Sequence, residues 1–122
     1  MYEVKVQQHF DAAHYLRGYR GKCENLHGHR FQVVVSVKVE GVDQIGIAYD
    51  FVELKQQLGE VLQRFDHTCL NEVPPFNEIN PSSENIALTI YKELQPRLKV
   101  SISSVEVWES PECCVTYFPG KT

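Results

Sequence analysis

Two stretches near the start of the chain alternate between apolar and polar residues, as a β-strand with one buried face requires. In the first, Tyr2, Val4 and Val6 alternate with charged and amide side chains. In the second, from about residue 29 to residue 40, apolar residues occupy every other position: Phe31, Val33, Val35, Val37 and Val39. We expect these two strands to pair antiparallel through the loop that joins them.

Two amphipathic helices are predicted in the middle of the chain. Asp50 is a suitable N-cap with Glu53 at the third helical position. Apolar residues follow it at helical spacing: Phe51, Leu54, Leu58, Val61, Leu62 and Phe65. The second helix begins near residues 81–83, loses its pattern at Pro96, and turns three residues inward: Ile86, Ile90 and Leu94.

The C-terminal part of the chain predicts a closing hairpin. Residues 100–109 and 113–118 are rich in β-branched and aromatic side chains, and a break at Ser110, Pro111 and Glu112 separates them. The element order is therefore strand, strand, helix, helix, strand, strand. It predicts one α+β domain over residues 1–122, with two helices on one face of a four-stranded antiparallel sheet.

Composition and charge narrow the function classes. The net charge is -4 over 122 residues, so the chain has no broad basic field for a nucleic-acid backbone. No apolar run approaches the length of a membrane span or of a signal-peptide core. The cysteines are too few and too unevenly spaced for a disulfide framework: Cys23, Cys69, Cys113 and Cys114. We predict a cytoplasmic protein with reduced thiols that binds a small molecule or a protein partner.

The distribution of histidines carries the most chemical information. If the first strand stays extended, His14 shares the parity of the apolar position Val6, and His27 and His29 share the parity of Phe31 on the second strand. In an antiparallel pair, the end of the first strand lies beside the start of the second. We therefore expect all three imidazoles to meet on one face, at one end of the sheet.

Three neutral imidazoles suit a Zn²⁺ ion that keeps its fourth position open for water or substrate. A second interpretation adds Cys23, which three residues separate from His27, as the fourth ligand of a closed structural site. The protein would then be a zinc-stabilised, non-catalytic binding module. The amount of apolar sequence argues mildly against this, because such a domain does not need a metal to fold.

These residues also carry a family resemblance. The segment Cys23–His29, with His-Gly-His at its end, and the preceding Phe10–His14 resemble the 6-pyruvoyltetrahydropterin synthase family, in particular its bacterial 6-carboxy-5,6,7,8-tetrahydropterin synthase branch. The likeness continues in family order over essentially the whole chain, through Asp50-Phe51, Asp66-His67, Asn80–Asn85 and Trp108–Ser110. The resemblance implies the tunnelling fold, or T-fold, and a homohexamer of two stacked trimers with active sites at subunit boundaries.

By position, the resemblance implies three zinc ligands: His14, His27 and His29. It implies that Cys23 is the general base and that Asp66 and His67 transfer protons. Glu109 would bind the pterin ring. The reaction that it implies converts 7,8-dihydroneopterin triphosphate to 6-carboxytetrahydropterin, acetaldehyde and triphosphate, for 7-deazaguanine and queuosine synthesis.

Three residues separate Cys23 from His27, as in the carboxytetrahydropterin enzymes. Glu24 stands where a folate-linked variant of the family uses Glu instead of the cysteine. A 6-pyruvoyltetrahydropterin synthase activity and a folate-linked, aldolase-like activity therefore remain as alternatives.

Overall fold

A five-stranded sheet with two helices makes up the computed structural model, which describes residues 1–21 and 24–120. The elements are β1 (Tyr2–His14), β2 (His27–Val39), α1 (Phe51–Leu62), β3 (Thr68–Cys69), α2 (Ser83–Leu94), β4 (Ile102–Ser110) and β5 (Cys113–Tyr117). Short 3₁₀ turns follow β3 and α2, at Leu70–Glu72 and Gln95–Arg97. Within residues 1–21 and 24–120, neither helix has the length and hydropathy of a membrane span.

The first two strands pair antiparallel over their full length, as the alternating pattern predicts. The register runs without interruption from Tyr2 opposite Val39 to His14 opposite His27. Because the register does not slip, the side-chain alternation of β1 continues to its last residue. His14 is therefore buried on the same face as Val6 and the other apolar residues of the strand.

The strand order across the sheet is β3-β1-β2-β4-β5. The predicted α+β arrangement is confirmed, with one addition to the predicted four antiparallel strands. The short strand β3 pairs parallel with β1, with Thr68 opposite Ala12 and Cys69 opposite Ala13. Two residues are too few to produce a period-2 pattern in the sequence, so this strand depends on tertiary contact alone.

Both helices begin at the predicted caps. The Asp50 side chain accepts a hydrogen bond from the backbone N–H of Val52, and Ser82 accepts one from Asn85. Such caps typically contribute about 1 kcal/mol each. The helices bury one face against the sheet, and the core lies between the two layers. Phe51, predicted at an apolar helical position, is 63% exposed; it is the first helical residue and lines a surface pocket with residues of the preceding loop.

Arg17 fastens the loop after β1 to the segment that leads into α2. Its guanidinium donates to the backbone carbonyls of Phe76 at 2.9 Å, Ile79 at 3.2 Å and Asn71 at 3.4 Å. The Asn80 side chain exchanges two hydrogen bonds with the Arg17 backbone, each 2.8 Å long. These contacts fix the start of α2 against the end of β1, where His14 lies.

Candidate metal centre and catalytic dyad

Three imidazoles meet at the end of the β1–β2 pair. The ring centroids of His14 and His27 are 4.6 Å apart, those of His27 and His29 are 4.6 Å apart, and those of His14 and His29 are 5.4 Å apart. His14 is buried, whereas the side chains of His27 and His29 are each 27% exposed. The structure thus brings together the histidines that strand parity predicts, and it leaves one side of the cluster open.

Two of the imidazoles are oriented by backbone carbonyls. Nδ1 of His14 lies 2.7 Å from the carbonyl oxygen of Pro81, and Nδ1 of His27 lies 2.6 Å from that of Asn25. A carbonyl oxygen only accepts, so Nδ1 carries the proton in both rings. In the neutral ring Nε2 then keeps its lone pair, which is the usual arrangement around a metal-binding histidine.

Glu109 reaches the same cluster from β4. Its Oε1 lies 3.0 Å from Nε2 of His14, 3.2 Å from Nε2 of His29 and 3.9 Å from Nε2 of His27. This contact is not among those expected from the sequence. The signal was present, because Glu109 shares the parity of the buried Val107 on a strand that pairs with β2.

The donor set fits Zn²⁺. One oxygen and the ring nitrogens of His14, His27 and His29 can all offer ligand atoms within 4.8 Å of one another. Acceptor atoms this close repel unless a proton or a cation lies among them, and mixed histidine and carboxylate ligands are those that Zn²⁺ favours. Burial lowers the pKa of His29, against the opposing effect of the Glu109 carboxylate, and so favours the neutral imidazole that a metal requires.

Asp66 and His67 form a second cluster. Nδ1 of His67 lies 3.0 Å from Oδ2 of Asp66, while Oδ1 of Asp66 accepts a 2.9 Å hydrogen bond from the backbone N–H of Asp11. That backbone hydrogen bond is the main cause that lowers the pKa of Asp66, and the hydrogen bond from His67 adds to it. An ionised Asp66 can orient the His67 ring, as a carboxylate does in other proton-transfer pairs.

The backbone of His67 is held in the left-handed region, with φ of 59°. For a residue with a side chain this conformation costs roughly 1–2 kcal/mol. The His67 N–H donates to the Asp11 carbonyl oxygen at 2.6 Å, and β3 pairs with β1 directly afterwards. The His67 side chain is 79% exposed, so its ring faces outward from the chain that holds it.

Within one chain, the dyad and the histidine cluster are separate. Asp66 and His67 group with Asp11, whose parity on β1 is opposite to that of His14. They precede β3, which is one edge of the sheet. Cys23, the predicted general base, lies outside the described residues, and its role stays a prediction.

A cavity of about 230 Å³ adjoins the histidine cluster. Its walls include His14 and Glu109, the N-cap and first residues of α2 (Ser82, Ser83 and Glu84), and the start of β5. The sequence pattern predicts Ser82 and Ser83 only as a helix start, although both belong to the Asn80–Asn85 block of the family resemblance. The cavity gathers two carboxylates and two hydroxyls, a set that complements a ligand rich in N–H donors.

Comparison with known proteins identifies the class to which this fold and site belong. A family model described as 6-pyruvoyl tetrahydropterin synthase matches residues 3–120. The chain therefore belongs to the 6-pyruvoyl tetrahydropterin synthase family.

Individual relatives cover most of the chain. A putative 6-carboxy-5,6,7,8-tetrahydropterin synthase of Archaeoglobus fulgidus is 37% identical over 89% of this chain and 89% of its own length. A dihydroneopterin monophosphate aldolase of Pyrococcus furiosus is 36% identical over 84% of this chain and 85% of its own. The solved structure of 6-pyruvoyl tetrahydropterin synthase from Caenorhabditis elegans superimposes with a TM-score of 0.87 at 27% identity, covering 98% of this chain and 96% of that one.

Proposed function

We propose that the protein is a zinc-dependent 6-carboxy-5,6,7,8-tetrahydropterin synthase. It converts 7,8-dihydroneopterin triphosphate to 6-carboxytetrahydropterin, acetaldehyde and triphosphate, a step toward 7-deazaguanines and queuosine. The observation that carries the proposal is the convergence of three imidazoles on Glu109 beside a small polar cavity. Membership in the family and the name of the Archaeoglobus fulgidus relative support the choice of substrate class.

The proposed zinc ligands are His14, His27 and His29, through their Nε2 atoms. When bound, the zinc supplies Lewis acidity that polarises the hydroxyl groups of the substrate side chain. The hydrogen bonds from the His14 and His27 rings to backbone carbonyls keep both Nε2 lone pairs directed at one point. The open side of the cluster leaves room for the substrate.

Glu109 and the cavity are proposed to hold the pterin ring. A pterin presents an amino group and a ring N–H on one edge, and a carboxylate accepts both. Glu109 lies between the histidine cluster and the cavity, so a ring bound to it has its side chain next to the metal ligands. Further acceptors that line the same cavity are Glu84, Ser82 and Ser83.

Cys23 is proposed to remove a proton from the substrate side chain, with Asp66 and His67 exchanging protons with the reacting groups. A thiol acts as a base when neighbouring cations stabilise its thiolate. Nδ1 of His67 carries a proton toward the Asp66 carboxylate, which only accepts, so Nε2 is the nitrogen at which the ring takes up and releases the transferred proton. In this pair the Asp66 carboxylate orients the His67 ring that exchanges the proton.

We further propose that the active site is completed by a second chain. The β3 edge carries the dyad, whereas the cavity is bounded by β5, the opposite edge of the sheet. β3 covers β1 only at Ala12 and Ala13, so most of the outer edge of β1 has no strand partner in the described part of the chain. Edge strands of this kind are commonly satisfied by continuing the sheet into a neighbour. A ring joined through these edges, stacked in pairs as a homohexamer, brings the dyad of one subunit to the cavity of the next.

The proposal is tested by product analysis. Zinc-loaded protein is incubated with 7,8-dihydroneopterin triphosphate, and the pterin and aldehyde products are identified by mass spectrometry. Acetaldehyde together with 6-carboxytetrahydropterin supports the proposal. An aldolase-type cleavage is the second candidate, since the Pyrococcus furiosus relative is named for it. Aldolase products, or 6-pyruvoyltetrahydropterin as the main product, would contradict the carboxy assignment.

Removing the proposed proton-transfer groups should separate chemistry from metal binding. Cys23→Ala and His67→Ala are each expected to keep the fold and the zinc but to lose about two orders of magnitude or more in turnover. The measurements are kcat, zinc content and thermal unfolding. The control is His9→Ala, an exposed histidine of β1 on the face opposite His14. Loss of zinc in Cys23→Ala would favour the closed structural site instead.

Truncating Glu109 should act mainly on substrate binding. Glu109→Ala is expected to raise KM about tenfold or more, because it removes charge-assisted hydrogen bonds that contribute roughly 1.5–3 kcal/mol. Zinc content is measured in parallel, since Glu109 also contacts His14. The matched control is Glu106→Ala, on the same strand but turned to the other face. An unchanged KM with lost zinc would reassign Glu109 to the metal.

A further inference from the structure

Two adjacent cysteines begin the last strand, and the proposed reaction uses neither. Cys113 and Cys114 are exposed, free thiols. In the pairing of β4 with β5, Val115 lies opposite the buried Val107. The register shifts between Trp108 and Ser110, so the extra residue lies on β4 and β5 itself alternates without interruption. Cys113 therefore shares the helix-covered face with Val115, whereas Cys114 shares the open face with its pairing partner Trp108.

The helix-covered face of the sheet, on which Cys113 lies, also borders the cavity. Cys113 lines the wall of this space of about 230 Å³ together with His14, Glu109 and the first residues of α2. Cys114 borders the same space from the next position, but its side chain belongs to the other face of the sheet. A group attached to the sulfur of Cys113 therefore competes for the space where the pterin ring is proposed to bind.

Cys113 and Cys114 do not form a disulfide with each other that would block reaction with a third thiol. Consecutive residues of an extended strand direct their side chains to opposite faces, so their sulfurs cannot approach to bonding distance without a change of the backbone. Cys113 is thus available to a thiol partner from solution. The substrate must reach the cavity in any active assembly, and a small disulfide can follow the same route.

We propose that Cys113 is a redox modification site that closes the pterin cavity. The Cys113 thiolate attacks one sulfur of a low-molecular-weight disulfide, the S–S bond of that disulfide breaks, and its other half leaves as a thiolate that takes up the proton lost by Cys113. The products are one mixed disulfide on the protein and one free thiol, and a second thiol reverses the step. The proposal rests on the proposed function, because it takes the cavity to be the pterin site.

The test compares two zinc-loaded full-length variants that each keep one of the two thiols. One carries Cys23→Ser, Cys69→Ser and Cys114→Ser, and the other carries Cys23→Ser, Cys69→Ser and Cys113→Ser. Each is treated with oxidised glutathione, the adduct is counted by intact-protein mass spectrometry, and the affinity for 7,8-dihydroneopterin triphosphate is measured by titration calorimetry before and after. Both variants carry Cys23→Ser because this substitution slows turnover, so the titration measures binding of the substrate and not its conversion.

The variant that keeps Cys113 is expected to gain one glutathione and to lose affinity about tenfold or more, and dithiothreitol is expected to restore it. The variant that keeps Cys114 is expected to retain its affinity even where it is modified. Full modification of Cys113 with unchanged affinity would overturn the inference, and so would equal losses in both variants or a Cys113 that does not react. If the untreated variants bind no pterin, the proposed function fails and the inference with it, so the two failures are distinguishable.

Discussion

Replacing His27 by alanine is expected to remove most of the bound zinc and to reduce turnover by two orders of magnitude or more while the chain stays folded. His27 lies at the open side of the cluster, and its side chain is 27% exposed, so truncation opens no cavity in the apolar core. His14 is a poorer choice, because it is buried and hydrogen-bonded to the Pro81 carbonyl. Its loss would disturb the packing of α2 as well as the metal.

Zinc content, kcat and the unfolding temperature are measured together on His27→Ala and on His9→Ala. His9 is an exposed histidine on the opposite face of β1, so its replacement removes an imidazole without touching the cluster. We expect about one zinc per chain in the wild-type protein and in His9→Ala. Full zinc content and activity in His27→Ala would exclude the proposed ligand set.

X-ray absorption at the zinc edge distinguishes the open catalytic site from a closed structural one. The open site predicts nitrogen and oxygen neighbours only, with zinc–nitrogen distances of roughly 2.0–2.1 Å. A sulfur neighbour at about 2.3 Å in the resting protein would place Cys23 among the ligands. The protein would then fit the zinc-stabilised binding module better than the enzyme.

The histidine cluster could be predicted from sequence because the side-chain alternation of β1 and that of β2 both place histidines on the same face. Side chains alternate with period two along β1 and β2, and adjacent antiparallel strands bring the end of one beside the start of the next. No bulge interrupts this pair, so the parity of Val6 carries through to His14. The pattern of five alternating apolar residues on β2 fixed the face of His27 and His29 in the same way.

Other features depend on contacts that no local pattern encodes. Strand β3 has two residues, and only its pairing with Ala12 and Ala13 defines it. Asp66 and His67 read as the polar end of a helix, yet α1 ends at Leu62, and the backbone of Asp11 on β1 holds both residues in place. Which side of the sheet they occupy relative to the histidines follows from that long-range contact.

Because the Asp66–His67 dyad and the histidine cluster are apart within one chain, two inactive variants are expected to complement each other. Chains that carry His27→Ala and chains that carry His67→Ala should each be almost inactive alone, and a mixture of the two should recover activity. In a shared site, the intact histidine cluster of a His67→Ala chain can meet the intact dyad of a neighbouring His27→Ala chain. Each site then needs a cluster from a His67→Ala chain and a dyad from a His27→Ala chain. When the two chains are mixed at random in equal amounts, about a quarter of the sites contain both intact parts.

The mixing experiment uses co-refolded or co-expressed chains, and activity is measured against the mixing ratio. We expect a maximum near equal amounts, at about a quarter of the wild-type rate, and none when preformed assemblies are mixed without exchange of subunits. The control mixes His27→Ala with His29→Ala. Both substitutions damage the cluster, so no site regains a complete cluster, and this mixture should stay inactive. Recovery confined to the first mixture can arise only if the dyad serves a cluster on another chain, whereas a lack of recovery in assembled mixtures would require each chain to supply both halves of its own site.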